Sequence, residues 1–174
     1  MRKIIVSITL TATLYAGGIS LPDHFTANFI QKITNTKNKT INYSGKIRFS
    51  KPTLMKWEYS KPTKKEVCTD AEALTVVDHD LEQVSIYLVS KGFNLEEIVK
   101  KAKPHSKNVY VAHYQGKSYT IQVDGKGHLH SVAYYDELDN KVQIVFKHMK
   151  YGKGAFPKAS MLCPTPKYYD EIRG

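Results

Sequence analysis

Seven histidines, sixteen carboxylates and two cysteines are the side chains of this 174-residue chain that could do chemistry. Their spacing assembles no catalytic set. A covalent mechanism needs a nucleophile and a base within reach of one another. No G-x-S-x-G, no H-E-x-x-H and no phosphate-cradling glycine loop occurs. His128 and His130 stand two apart and share one face of a strand. That is compatible with a weak metal site, but a solvated face after a hairpin is the simpler reading. Asp78-His79-Asp80 falls between two strand patterns, where a polar turn is expected, with acid–base or metal work as the alternative. Asp136, Glu137 and Asp139 read as turn residues, and Tyr134 and Tyr135 before them straddle a sheet, one facing inward. No catalytic residue, metal or cofactor is expected, and the chain does not read as an enzyme.

The N-terminus carries a different signal. Arg2 and Lys3 precede a mostly apolar run from Ile4 to Tyr15, and Gly18 and Ser20 supply small residues for cleavage after Ser20. This is the pattern of a cleavable secretory leader over residues 1–20. Its apolar run is too short to cross a bilayer, which takes roughly 20 residues. Loss of Arg2 and Lys3 lowers the formal charge from +10 to +8, still strongly basic. Such a charge favours anionic partners, and export makes nucleic acid the least suitable of them. Lys61, Lys64 and Lys65 form one cationic cluster, and Lys100, Lys101, Lys103 and Lys107 another. Each is either a solvated face or an electrostatic docking patch. Cys68 and Cys163 fit no zinc or redox spacing, and an exported compartment permits a disulfide between them. Two separate buried thiols are the alternative.

Residues 21–174 have the length and composition of one globular domain. Within it, "RFSKPTLMKWEYSKP" from Arg48 to Pro62 places Met55, Trp57 and Tyr59 on alternate positions. On a strand these share one face, which is either packed core or the wall of a binding site. The elements around the stripe follow from periodicity. Phe25, Phe29, Ile30 and Ile33 fit one stripe of a helix starting near Pro22 and ending in the polar run 35–39. A second helix is expected from Leu95 to Lys103. Asn94 caps it, Glu97 completes a capping box, Phe93 and Ile98 form a staple, and Pro104 stops it. Alternation predicts strands over 41–49, 55–59, 65–69, 74–77, 84–89, 109–114, 119–123, 129–135, 142–149 and 160–163. About ten antiparallel strands and two amphipathic helices suit an α+β domain. Its strongly curved antiparallel sheet forms an unclosed β-barrel, with both helices as lids on the concave side.

Five stretches carry a resemblance over nearly all of residues 21–174. "FTANFIQKI" resembles an F-x-A-x-F-x-Q opening. "YSGKIRFSKPTLMKWEYSKP" resembles a block of G, a basic residue before Pro, then W-x-Y-x-x-P. "TDAEALTVVDHDLEQV", "YYDELDNKVQIVF" and "FPKASMLCPTPKYYDEI" follow in order. Together they resemble the periplasmic outer-membrane lipoprotein carrier family, LolA.

The resemblance implies a hydrophobic cavity for lipoprotein acyl chains in a periplasmic, monomeric carrier. It implies loading from an inner-membrane ABC-type release complex and, in many bacteria, delivery to an outer-membrane acceptor. The expected wall and lid residues are Phe29, Ile33, Phe49, Met55, Trp57, Tyr59, Leu95, Ile98 and Val99. The family's lid-holding Arg corresponds to Lys51, which lacks the planar fork of a guanidinium. Ala71 stands where the family has a turn glycine, and Pro166-Lys167-Tyr168 replaces its P-x-G. A lipid- or lipoprotein-sensing module of the same fold is the main alternative. An anchored acceptor lacks its lipid-attachment Cys, and an exported hydrolase lacks its catalytic set.

Overall fold

The computed structural model describes residue 19 and residues 21–70, 72–88 and 94–174. The leader (apart from Ile19), Ala71, the Val89 end of the strand expected over 84–89 and the Phe93 half of the helix staple lie outside them. One sheet of twelve strands organises the chain. In sequence order these are β1 (His24–Thr34), β2 (Thr40–Ser50), β3 (Leu54–Lys61), β4 (Lys65–Thr69), β5 (Ala73–Asp78) and β6 (Gln83–Leu88). Helix α1 (Leu95–Lys100) follows, then β7 (Lys103–Ser106), β8 (Val109–Tyr114), β9 (Lys117–Val123), β10 (Leu129–Tyr135) and β11 (Lys141–Gly152). Helix α2 (Lys158–Met161) and β12 (Asp170–Arg173) end the chain. The lateral order is β12-β6-β5-β4-β3-β2-β1-β11-β10-β9-β8-β7. The sheet is strongly curved and unclosed, as expected from its strand count.

The expected helix near Pro22 is instead β1, the seventh strand across the sheet, hydrogen-bonded along its length to β2 and β11. Phe25, Ala27, Phe29 and Gln31 are buried in alternation, while Ile30 points away and is 41% exposed. Spacings of four residues satisfy both a helix and a strand. Pairing on two sides decides the matter, because it satisfies the backbone on both edges of β1, apart from a bulge against β11 at Ala27, and gives the inward residues a full core. Residues 160–163 were also expected to be a strand. Pro164 and Pro166 remove two ladder donors beside them, and α2 forms there, its backbone satisfied locally by Ser160 N–H to Pro157 O at 2.9 Å. The last strand comes later, as β12, and it pairs parallel with β6 rather than antiparallel.

Helix α1 forms where its local signals place it. Asn94 Oδ1 accepts from Glu97 N at 3.1 Å, capping it. It is shorter than expected: Lys101 is its C-cap, and Lys103 and Pro104 enter the edge strand β7, where a missing proline N–H costs nothing. The two helices do not share a face. Leu95, Ile98 and Val99 of α1 are buried in the main core with Met55 and Trp57. On α2, Met161 is buried. Leu162 O, just beyond it, accepts from Lys56 Nζ at 3.0 Å, and Lys56 points to the opposite side of β3 from Trp57. The segment from α2 onward therefore straps the convex face. Cys163 is disulfide-bonded to Cys68 there, and Tyr169 reaches His79 Nδ1 at 3.1 Å.

Candidate functional site

The concave face is built by alternation along neighbouring strands. Register sets Phe25 beside Phe49, Phe29 beside Gly45, and Trp57 across from Ile47. The side chains then meet as rings. Phe25 stacks on Phe49 at 5.1 Å, and Phe29 meets Trp57 and Tyr59 edge-on at 4.9 and 5.0 Å. Such edge-to-face pairs are favourable beyond their buried area. Gly45 makes the approach possible. A Cβ there would lie 2.0 Å from Glu58 O and 3.0 Å from the Phe29 ring. Over the far half of the bowl lies α1, packed against β8.

Of the residues expected on wall and lid, Phe29, Phe49, Met55, Trp57, Leu95, Ile98 and Val99 are buried in one cluster, with Ile33 and Tyr59 packed on its margin. Periodicity alone also reaches Val142, Ile144 and Phe146 on β11, which complete the same face. Phe25 and Ala27 join them only because β1 is a strand. Gln31 also faces inward and accepts from Tyr59 Oη at 3.1 Å. Burial raises the Tyr59 hydroxyl's pKa well above its usual range and pushes Tyr134 up to about 12. Both stay neutral, so the interior holds hydrogen-bonding groups without charge.

Lys51 lies elsewhere, at the start of the β2–β3 turn. Its N–H donates to Asp23 O at 2.8 Å, and its ammonium stands 3.9 Å from the Asp23 carboxylate. The polar motifs resolve into turns. Asp78 Oδ1 accepts from the N–H of Asp80 and Leu81, Asp80 caps Lys64 N–H, and Asp136 does the same work for Leu138 and Asn140. His128 pairs with Asp124 at 3.3 Å. Among the described residues no three His, Cys, Asp or Glu side chains gather as metal ligands. Nor is any described helix long and apolar enough to cross a membrane.

The site is a curved, unclosed sheet around an uncharged aromatic interior, covered in part by one short helix. The comparisons with known proteins agree in kind. The family model described as outer membrane lipoprotein carrier protein LolA matches residues 22–96. The outer-membrane lipoprotein carrier protein of Campylobacter jejuni is 37% identical over 153 residues, 86% of each chain. That of Wolinella succinogenes is 29% identical, covering 71% of this chain and 72% of its own. The chain belongs to the outer-membrane lipoprotein carrier family. A conserved protein of Thermus thermophilus shares the fold, with a TM-score of 0.56 at 11% identity, covering 88% of this chain and 92% of its own.

Proposed function

We propose that this protein is a periplasmic shuttle. Its leader, residues 1–20, is removed, and residues 21–174 act as one monomeric carrier domain. It receives a lipoprotein from an inner-membrane ABC-type release complex, shields its acyl chains on the concave face, and passes it toward the outer membrane, to an acceptor where one exists. Phe29, Ile33, Phe49, Met55, Trp57 and Tyr59 form the wall, and Leu95, Ile98 and Val99 the lid. The reading is carried by one observation: these nine residues share one apolar cluster between the sheet and α1, in a chain whose relatives are named lipoprotein carriers.

The chemistry explains why a carrier is needed. Each acyl CH₂ left in water costs about 0.8 kcal/mol, so a multiply acylated protein cannot cross an aqueous space bare. In this structure the interior is filled by its own side chains and by α1. Loading therefore separates helix from sheet and exchanges one apolar contact for another. Because that exchange is nearly balanced, the cargo is held and can still be released. Lys51, held to Asp23 beside the start of β1, adjusts the wall's edge rather than gripping α1 directly.

The test is a release assay. The purified protein is mixed with inner-membrane vesicles carrying a labelled lipoprotein, the release complex and ATP. A soluble one-to-one complex is expected. Lipoprotein that stays in the vesicles, where an established carrier extracts it, overturns the proposal.

A further inference from the structure

The opposite face of the sheet has a feature that the acyl-binding reading does not use. Strands β2, β1 and β11 are the sixth, seventh and eighth of twelve, so they form the apex of the convex surface. None of the three contains an Asp or Glu. Their outward positions carry Lys32, Lys46, Arg48, Lys147 and Lys150, with His148 in a bulge beside them. A two-residue repeat of about 7 Å keeps Lys46 and Arg48 within one screening length of about 8 Å; Lys147 faces Lys46 and Lys150 faces Arg48 across the one intervening strand, and Lys32 stands further along β1. Among the described residues the one carboxylate paired with them is Glu58, held by Arg48 at 3.2 Å. Lys32, Lys46, Lys147 and Lys150 have no carboxylate partner among the described residues. Of the seven lysines singled out by their clustering in sequence, three are engaged: Lys100 is paired with Glu96 and Glu97, and Lys65 and Lys101 sit over tyrosine rings. Two open grooves of about 580 and 450 Å³ run between Lys46, Glu58 and His148, and exposed Ile30 lies on the wall of the larger.

We propose that this convex apex docks the protein on the anionic phospholipid surface of a membrane. A plane meets a convex body at its apex, and here the apex is where acidic residues are missing. The cations are chiefly lysines, diffuse point charges suited to a field of headgroups rather than to a fixed set of carboxylates. Ile30 at their centre is placed to enter the headgroup layer. The strap and its disulfide lie to one side over β3–β6, and the residues leading into it pack on the His24–Ser50 end of the apex, away from Lys32, Lys46 and Lys147. The concave face points away from the bilayer in this pose, so α1 stays free to open. The inference does not depend on what the concave face binds.

Co-sedimentation with vesicles of phosphatidylcholine, with and without phosphatidylglycerol, tests it. Binding to the anionic vesicles, weakening steeply with added salt, is expected. Each basic residue near such a surface contributes roughly fivefold in affinity. The triple variant K46E/K147E/K150E, which loses three such residues and adds three repelling charges, is therefore expected to bind at least about 100-fold more weakly. The triple variant K101E/K103E/K107E makes the same change in net charge and is expected to stay within severalfold of the unaltered protein. The milder K46Q/K147Q set, with thermal midpoints of every variant, separates lost docking from lost folding. Equal losses in the two charge-reversal variants would mean that net charge alone is sensed, and would overturn the site. No binding to anionic vesicles at low salt would also overturn it and leave the face to an acidic protein partner.

Discussion

The two faces of the sheet are covered by different means, one by apolar contact with a short helix and one by a covalently tied strap. On the concave face, α1 is held by Leu95, Ile98 and Val99. Full burial of such side chains is worth about 2 kcal/mol each, a total that another apolar group can replace. On the convex face, the C-terminal strap is tied covalently by Cys68–Cys163 and by Lys56, whose ammonium donates to Leu162 O at 3.0 Å while paired with Glu66 of the neighbouring strand at 2.6 Å. That side cannot part without breaking a bond and exposing a buried ammonium. On the carrier proposal, the acyl chains would enter from the concave side, past α1.

The contrast can be broken or sharpened by substitution. The largest effect is expected in the concave core, where Phe25 is fully buried between Phe49 and Phe146. Phe25→Ala is expected to lower stability by about 3–5 kcal/mol, read from urea unfolding. A loss under 1 kcal/mol would mean that β1 is not the centre of the core. Removing the disulfide as Cys68→Ser with Cys163→Ser opens a loop closed over 95 residues and is expected to cost about 2–4 kcal/mol. Lipoprotein loading should survive it, because the strap lies on the other face; loss of loading in a folded protein would show that the faces are coupled. Gly45→Ala forces its Cβ into the Glu58 carbonyl, with an expected cost of roughly 2 kcal/mol and weaker Phe29–Trp57 contact by aromatic circular dichroism.

Alkaline pH gives a smaller, signed effect. Burial raises Tyr134 to about 12 from an ordinary value of 10.0. The unfolded chain ionises first, so this stabilisation is complete below pH 10 and is lost as pH rises through 12. Tyr134→Phe should flatten that fall by roughly 1–2 kcal/mol; an unchanged slope would place the titration elsewhere. Least of all, Lys51→Leu removes a half-exposed pair with Asp23 and should shift stability by under about 1 kcal/mol. Its effect belongs in cargo release, and unchanged loading and transfer would exclude that role.

The parts of the fold legible in the sequence are those whose causes are local. Asn94, Glu97 and the apolar spacing of Leu95, Ile98 and Val99 sufficed for α1, and strict alternation sufficed for β3 and β11. The segment at Phe25 misleads for a definite reason. Phe25, Phe29 and Ile33 are four apart, a spacing common to both periods. The discriminating positions are Ala27 and Gln31, small or polar yet turned inward, and Ile30, apolar yet turned outward. Pairing on both sides explains that choice, with β2 and with β11, whose residues lie more than 100 positions away. The parallel pairing of β12 with β6 likewise depends on how the strap crosses the convex face. The candidate site suffered less than the fold, because Phe29 and Ile33 face the same interior from a strand as they would from a lid.

Trp57 is the sole tryptophan of the chain and lies on the concave wall between Phe29 and Phe146. Its emission therefore reports the interior directly. The protein is titrated with a lipoprotein whose acyl chains carry bromine, a contact quencher, and with the same lipoprotein unbrominated. Strong, saturable quenching by the brominated form alone is expected, since the acyl chains would lie against the indole. Saturable binding without quenching would place the acyl chains away from Trp57 and contradict a concave acyl-binding face.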